Sequence, residues 1–325
     1  MIHPWTPSKG RCLALALALP LLAACAPKSY VVKTPTPSAQ VVANAPTPVA
    51  PLAISDERPQ GARTFSSGTL PMALDTTDGP IEGFAYLRTH LASELASRLP
   101  GATLSDGATT PRLALREFRM LNHRTNGYTP LITFTLLGAD LQTDRGTQRL
   151  GVFIKRAKVP VWSFDEIVEP TLNEPLSLVV RELAAKIIGN AYGAASSDAE
   201  VEALKAKLAG ERTGTSYLDV YALGFSQNPK ALPIVLELAK DEDEYIRLAA
   251  ISSLGTLRAT DQFGWLKSVY EGEGVWQDRA MALKAIGDLG TPEARAFLEQ
   301  EAKRWEGDQD DRESRWFLNI IRLYL

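Results

Sequence analysis

The feature that most constrains this chain is a self-similarity in its last third. Ala222-Leu223-Gly224, Ser253-Leu254-Gly255 and Ala285-Ile286-Gly287 fall at successive steps of 31 and 32 residues. The same steps align Val220 with Ile251 and Leu283, Ile234 with Trp265 and Phe297, and Val235 with Leu266 and Leu298. Ala239, Tyr270 and Ala302 follow in the same register, so each unit holds two segments of helical period. A unit of this length cannot bury its apolar face alone, and only stacked neighbours give it a core. Residues 196–325 are therefore expected to form an all-α stack of short helix pairs. Ser197 with Glu200 reads as a capping box opening its first helix. The segment Asp311–Leu325 departs from the pattern with Trp316, Phe317, Ile320, Ile321 and Leu323. It is expected to close the end of the stack, since a terminal repeat otherwise leaves an apolar face in water.

Two stretches carry a family likeness. Arg247-Leu248-Ala249-Ala250-Ile251-Ser252-Ser253-Leu254-Gly255 and Arg279-Ala280-Met281-Ala282-Leu283-Lys284-Ala285-Ile286-Gly287 resemble the first helix of HEAT repeats of the short bacterial kind. The resemblance implies a HEAT-like solenoid whose extended face binds another protein. Small residues let adjacent helices approach closely, and the recurring glycine serves either close packing or helix termination. Four of the six tryptophans, Trp265, Trp276, Trp305 and Trp316, lie in this region. They either fill the core of thin repeats or stand on an exposed face as interface anchors. Trp265 aligns with the buried-type positions Ile234 and Phe297, which leaves Trp276 and Trp305 as the candidate partner-binding pair.

The opposite end of the chain carries an export signal. Lys9 and Arg11 precede the apolar run Cys12–Leu22, which is too short for the ~20 residues a membrane-spanning helix needs. The run ends in Leu22-Ala23-Ala24-Cys25, which resembles the lipobox of bacterial lipoproteins. The resemblance implies a signal peptide over 1–24, cleavage before Cys25, and a diacylglycerol on its sulfur with a further acyl chain such as palmitate on its new amine. Several chains on one cysteine give stable anchoring where one alone is marginal. Ala26, in place of an aspartate, points to the outer membrane, facing the periplasm. Residues 25–50 hold Pro27, Pro35, Pro37, Pro46 and Pro48 among small polar residues and read as a tether. Fully stretched at ~3.1 Å per residue it would reach roughly 75 Å.

Residues 51–195 read as an α+β domain, a mostly antiparallel sheet with helices on one face. Leu52–Ser55 reads as a strand, Gly68–Gly79 as a long loop, and Asp78-Gly79-Pro80 as the start of a helix. That helix carries Phe84, Leu87, Leu91, Leu95 and Leu99 on one face. Three strands follow, Leu113–Met120, Leu131–Leu141 and Gln148–Val159, the last two joined by a hairpin turn at Asp144-Arg145-Gly146. A second helix from Asn173 carries Leu176, Val179, Leu183 and Ile187. Arg112, Arg116, Arg119, His123, Arg124, Lys155, Arg156 and Lys158 make this the more basic region, either a solvated sheet face or a dock for anionic envelope material.

Charge and residue counts exclude more than they assign. With 35 basic and 38 acidic residues the net charge is −3, which lacks the basic excess of a nucleic-acid binder. Two cysteines exclude a disulfide framework, and three histidines leave little for metal or triad chemistry. Asp241–Glu244 suits a helix N-terminus. Asp308, Asp310 and Asp311 begin like a calcium loop, but Arg312 stands at a ligand position and the required glycine and glutamate are missing. Neither a cofactor nor a metal is expected. No Gly-x-Ser-x-Gly elbow, His-Glu-x-x-His pair or Gly-rich phosphate loop occurs. The leading expectation is a non-enzymatic, lipid-anchored adaptor that binds an envelope protein through its repeats. The alternatives are an accessory subunit acting through the α+β domain in transport or assembly of an envelope component and, less favoured, a cell-wall hydrolase.

Overall fold

A computed structural model of the chain describes residues 28–107, 109–308 and 310–325. Leu22, Ala23, Ala24 and Cys25 of the lipobox lie outside these residues.

The centre is a mixed sheet. Its long strands are β7 (Arg112–His123), β8 (Leu131–Thr143) and β9 (Gly146–Lys158), paired antiparallel. Thr143 pairs with Gly146 across a two-residue turn, and Gly146 takes φ 115°, a conformation that favours glycine. Shorter strands extend the sheet in parallel: β2 (Leu52–Asp56) lies between β7 and β6 (Leu104–Ser105), and β3 (Ser66–Gly68) pairs with the far end of β7. A second, three-stranded sheet orders β1 (Lys28–Val31), β4 (Met72–Thr76) and β5 (Gly79–Pro80).

Alternation along the strands sends two apolar sets to opposite faces. Phe118, Met120, Leu137 and Ile154 point to one face, where helices α1 (Gly83–Arg98) and α2 (Glu174–Tyr192) pack. Leu87, Leu91, Leu95 and Leu99 on α1, and Leu176, Val179, Leu183 and Ile187 on α2, are almost wholly buried there. The module's own helices thus lie on one face, as expected. Phe134, Leu136 and Phe153 point to the other face, which the C-terminal helix covers.

The rest is helical: α3 (Asp198–Ala209), then the pairs α4 (Tyr217–Phe225) with α5 (Leu232–Leu238), α6 (Glu244–Thr256) with α7 (Phe263–Glu271), and α8 (Trp276–Leu289) with α9 (Pro292–Glu306), closed by α10 (Arg312–Arg322). Ser197 caps α3 by accepting from the Glu200 N–H, Asp243 caps α6, and Asp311 caps α10, so the acidic runs serve helix N-termini. Helices α4, α6 and α8 stack in a row. The three repeat glycines lie inside these helices, which settles their role as close approach. A Cβ on Gly224 would collide with Ser253, and one on Gly255 would lie 2.6 Å from the Cα of Ala285. A Cβ on Gly287 would enter the ring of Tyr324. Where the repeats run out, the C-terminus supplies the missing neighbour.

Several expectations need correction. The proline-rich segment is laid along the body from Lys28 onward and is no free tether there. β1 pairs with β4, the Lys33 N–H donates to Asn173 Oδ1 at 2.9 Å, the Ser38 N–H to Glu94 Oε2 at 2.8 Å, and the Val42 N–H to the Arg98 carbonyl at 2.9 Å. Tyr30, Val32 and Val42 are buried anchors that the composition of the segment concealed. Gly68–Gly79 is partly strand, because Met72 and Leu74 pack into the core. Gly79-Pro80 closes a hairpin with Thr76 and Asp75, and α1 starts later, capped by the Glu82 carboxylate. Finally, the sheet and the repeats share one continuous apolar core, with no break at residue 195.

Candidate functional site

Where the repeat stack meets the open end of the sheet there is a cleft of about 300 Å³. The sheet contributes His123, Ile132, Phe134 and Lys155, and the helices contribute Trp276, Gln277, Arg312 and Trp316. Strand alternation places His123, Ile132, Phe134 and Lys155 on the same face, directly under α10. The wall is aromatic. The Phe134 ring lies 4.8 Å from Trp316 and 5.7 Å from both Trp276 and Phe153, and Trp276 meets Trp316 at 4.9 Å in an edge arrangement. Such contacts lock the rings, so the cleft is preformed.

Polar groups mark its rim. The Arg312 guanidinium covers Trp316 at 5.0 Å and donates from Nη1 to His123 Nε2 at 3.1 Å. Burial, and then the Arg312 charge, hold His123 below the usual imidazole pKa, so at neutral pH it accepts that bond uncharged. Lys155 reaches Glu244 at 3.1 Å, and its burial lowers its pKa against the pull of that carboxylate. The Trp276 indole N–H is buried with no hydrogen-bond partner. The cleft therefore offers aromatic faces and a guanidinium, which together suit an apolar or aromatic side chain next to a carbonyl or carboxylate. Among the described residues, no group of three or more His, Cys, Asp or Glu could hold a metal ion.

The two candidate anchors separate here. Trp276 lines the cleft but is half-buried. Trp305 lies away from it, half-buried against Phe317 at 5.2 Å, with its N–H donating to Tyr270 Oη at 2.7 Å. Neither stands free on the surface, because each fills a gap that the thin repeats leave. Of the basic residues, Arg112 pairs with Glu57, Arg116 with Glu57 and Asp140, Arg119 with Glu117, and Arg156 with Glu174. These ion pairs replace the solvated basic face. Arg156 is buried, its guanidinium over the rings of Tyr217 and Tyr245 at 4.4 and 4.3 Å.

A second constellation escaped the sequence reading. Glu182 and Lys186 on α2 meet Lys284 and Asp288 on α8 in a buried charge cluster. Lys186 Nζ lies 2.7 Å from Glu182 and 2.6 Å from Asp288, and Lys284 Nζ lies 2.6 Å from Glu182 and 2.8 Å from Asp288. Tyr324 Oη donates to Asp288 at 2.9 Å, and Lys186 also donates to the Gly151 carbonyl of the sheet edge at 2.5 Å. Burial opposes the charge on Lys284, yet the carboxylates of Asp288 and Glu182 raise its pKa above the ordinary lysine range. Two positive and two negative charges balance, which is the condition for burying them at all. The available signal was a pair of i,i+4 opposite charges inside runs of apolar residues, as in Glu182-Leu183-Ala184-Ala185-Lys186 and Lys284-Ala285-Ile286-Gly287-Asp288. Such pairs usually mark an exposed face.

Comparison with known proteins adds the repeat family. The HEAT repeat family matches residues 231–257, which span α5 and α6. The small-residue helix is thus the second of the matched unit, where the sequence resemblance placed it first. No curated protein matches the chain. A solved structure titled "Crystal structure of uncharacterized protein" is similar over 49% of this chain and 97% of its own, at 10% identity and a TM-score of 0.29, too low to carry an argument. No helix of the described residues is long and apolar enough to cross a membrane. The protein is an α+β module followed by a helical region containing a HEAT-repeat domain, a kind of domain that generally mediates protein–protein interaction.

Proposed function

We propose that this protein is a lipid-anchored adaptor of the bacterial cell envelope, held through Cys25 at the outer membrane, facing the periplasm, and binding a protein partner. The observation that carries the binding role is the preformed aromatic cleft between Phe134 of the sheet and Trp276 and Trp316 of the helices. Rigid aromatic walls with a guanidinium at the rim are the usual make-up of an interface hot spot. The partner would insert an apolar or aromatic side chain there, with a carbonyl or carboxylate beside Arg312. The anchor rests on the lipobox residues Leu22, Ala23, Ala24 and Cys25. Because the sheet supplies half of the cleft, the α+β module takes part in binding, and an accessory role in transport or assembly would use the same surface.

The test is in-cell crosslinking from a photoreactive residue at Gln277, on the rim of the cleft, against the same residue at the exposed Glu202. A discrete adduct from Gln277 that disappears with Trp276→Ala, while the variant stays folded, supports the reading. Equal capture from both positions contradicts it. For the anchor, Cys25→Ser should move the protein from the membrane to the soluble fraction.

A further inference from the structure

Two tight turns at the open end of β7–β9 hold aromatic side chains out in water. Trp162 is 92% exposed and Tyr128 is 94% exposed. Both turns are built by hydrogen bonds. The Glu166 carboxylate accepts from the N–H groups of Val161, Trp162 and Ser163 at 2.9, 2.8 and 3.0 Å. In the other turn, Asn126 Oδ1 accepts from the Tyr128 N–H at 2.9 Å, and Thr129 Oγ1 accepts from the N–H groups of Thr125 and Asn126 at 3.2 and 3.0 Å. Arg124 donates to the carbonyls of Gly127 and Thr129 at 2.5 and 3.1 Å, and its guanidinium lies 5.2 Å over the Phe164 ring, which ties the two turns together. Val161 adds an apolar side chain 67% exposed. A single exposed apolar residue is ordinary, but two large aromatics carried on two ordered turns tied together at the same end of the sheet form a prepared surface.

The start of the described chain borders the same surface. Tyr30 of β1 faces Phe164 at 6.0 Å between centroids. Cys25 precedes Lys28 by three residues, a reach of at most ~11 Å. Acyl chains on Cys25 would enter a bilayer within that distance of the strand.

We propose that this patch, centred on Trp162 and Tyr128 with Val161 beside Trp162, rests in the headgroup region of the bilayer that holds the acylated Cys25. The inference deepens the lipid-anchored reading and rests on it. Tryptophan and tyrosine suit that region because each joins an apolar ring to an N–H or O–H that stays hydrated. Lipid is favoured over protein as the occupant because the patch adjoins the strand from which the anchor leaves. The loop that carries Tyr128 also supplies Thr125, Thr129 and Pro130 to the aromatic cleft, so a partner seated there would be held at the membrane surface.

The test uses the full-length protein purified from membranes, with acylation of Cys25 read by mass spectrometry. The protein is reconstituted into vesicles of phosphatidylethanolamine and phosphatidylglycerol, with or without bromine on the acyl chains. Comparison with Trp162→Phe isolates the emission of Trp162, and Trp162 is exposed enough that this variant keeps the fold. The expected result is that brominated lipid quenches the wild type more than the variant, the excess being the Trp162 component. Equal quenching of acylated, vesicle-bound wild type and variant would overturn the patch and leave the anchor standing. Absence of acyl groups from Cys25 would overturn the anchor and the patch with it. A Trp162 component unquenched by lipid, with a photoreactive residue at Val161 that crosslinks to protein, would reassign the surface to a partner.

Discussion

The two halves of this molecule build their cores in opposite ways. In the sheet, Arg112–His123 must find Leu131–Thr143, and that strand must then find Gly146–Lys158, so the core depends on register between whole strands. In the repeats, each glycine-bearing helix needs only the next one. Ser253 fills the slot over Gly224, and Ala285 fills the slot over Gly255. The series then changes kind, because the slot over Gly287 is filled by Tyr324, whose ring also fills the slot over Gly151 on β9. A solenoid must close its exposed end. Here it closes on the sheet, and the sheet in turn has its edge strand covered by helices, which blocks further strand pairing. Each half supplies the cap that the other requires.

Variants at the joint should therefore unfold both halves. The largest effect is expected from Lys284→Met, which leaves Glu182 and Asp288 buried with excess negative charge. Removing one partner of such a cluster costs about 3–5 kcal/mol, read as a shift of the urea midpoint. Replacing all four charged residues with apolar ones of similar size should recover most of that loss. Tyr324→Ala empties the space between Gly151 and Gly287 and should cost a similar ~3–5 kcal/mol, with one cooperative transition retained.

The glycine slots give the next test. Gly255→Ala meets the Cα and carbonyl of Ala285, which cannot swing aside, whereas Gly224→Ala meets the Cβ and hydroxyl of Ser253, of which the hydroxyl can rotate away. Overpacking costs about 1–3 kcal/mol, and Gly255→Ala should fall at the upper end with Gly224→Ala below it.

Acid should act through an ion pair in the sheet half. Arg58, almost wholly buried, grips Asp56 through Nε and Nη2 at 2.8 and 3.0 Å, and hydrogen bonds from Arg58 hold the Asp56 pKa below its ordinary value of 3.8. A lowered folded-state pKa contributes stability above the ordinary value, and that stability is lost as the pH falls through the folded-state value. Asp56→Asn should therefore be less stable than wild type at neutral pH, with the difference disappearing at the acid end of a pH series of denaturation curves.

The smallest effect lies at the turns after the glycine-bearing helices. Gln227, Arg258 and Gly290 occupy equivalent positions, with φ of 56°, 55° and 65°. Only the third is a glycine, so Arg258→Gly should raise stability by up to about 1 kcal/mol, less the loss of its bond to Asn190.

The contrast between the halves also explains what could be read in the sequence. The repeat register, the three long strands, the hairpin and the two sheet-side helices were legible because their signals are local and periodic. The resting place of residues 28–50 was not, since Tyr30, Val32 and Val42 are isolated apolar residues whose partners lie far along the chain. The charge cluster was hidden for the same reason, its two halves lying about a hundred residues apart and each resembling a surface pair. In the cleft, Trp276 was picked out by type, but Phe134 read only as a strand residue. Sheet alternation decides that it faces Trp316.

The most direct measurement of the joined core is hydrogen exchange of Lys284→Met, a substitution on α8 that removes a charge partner of Glu182 on α2. If the halves cap each other, amides of β9 and of α6 should lose protection together and by the same free energy as the global loss. Unchanged protection in β9 alongside a loosened α6 and α8 would contradict it.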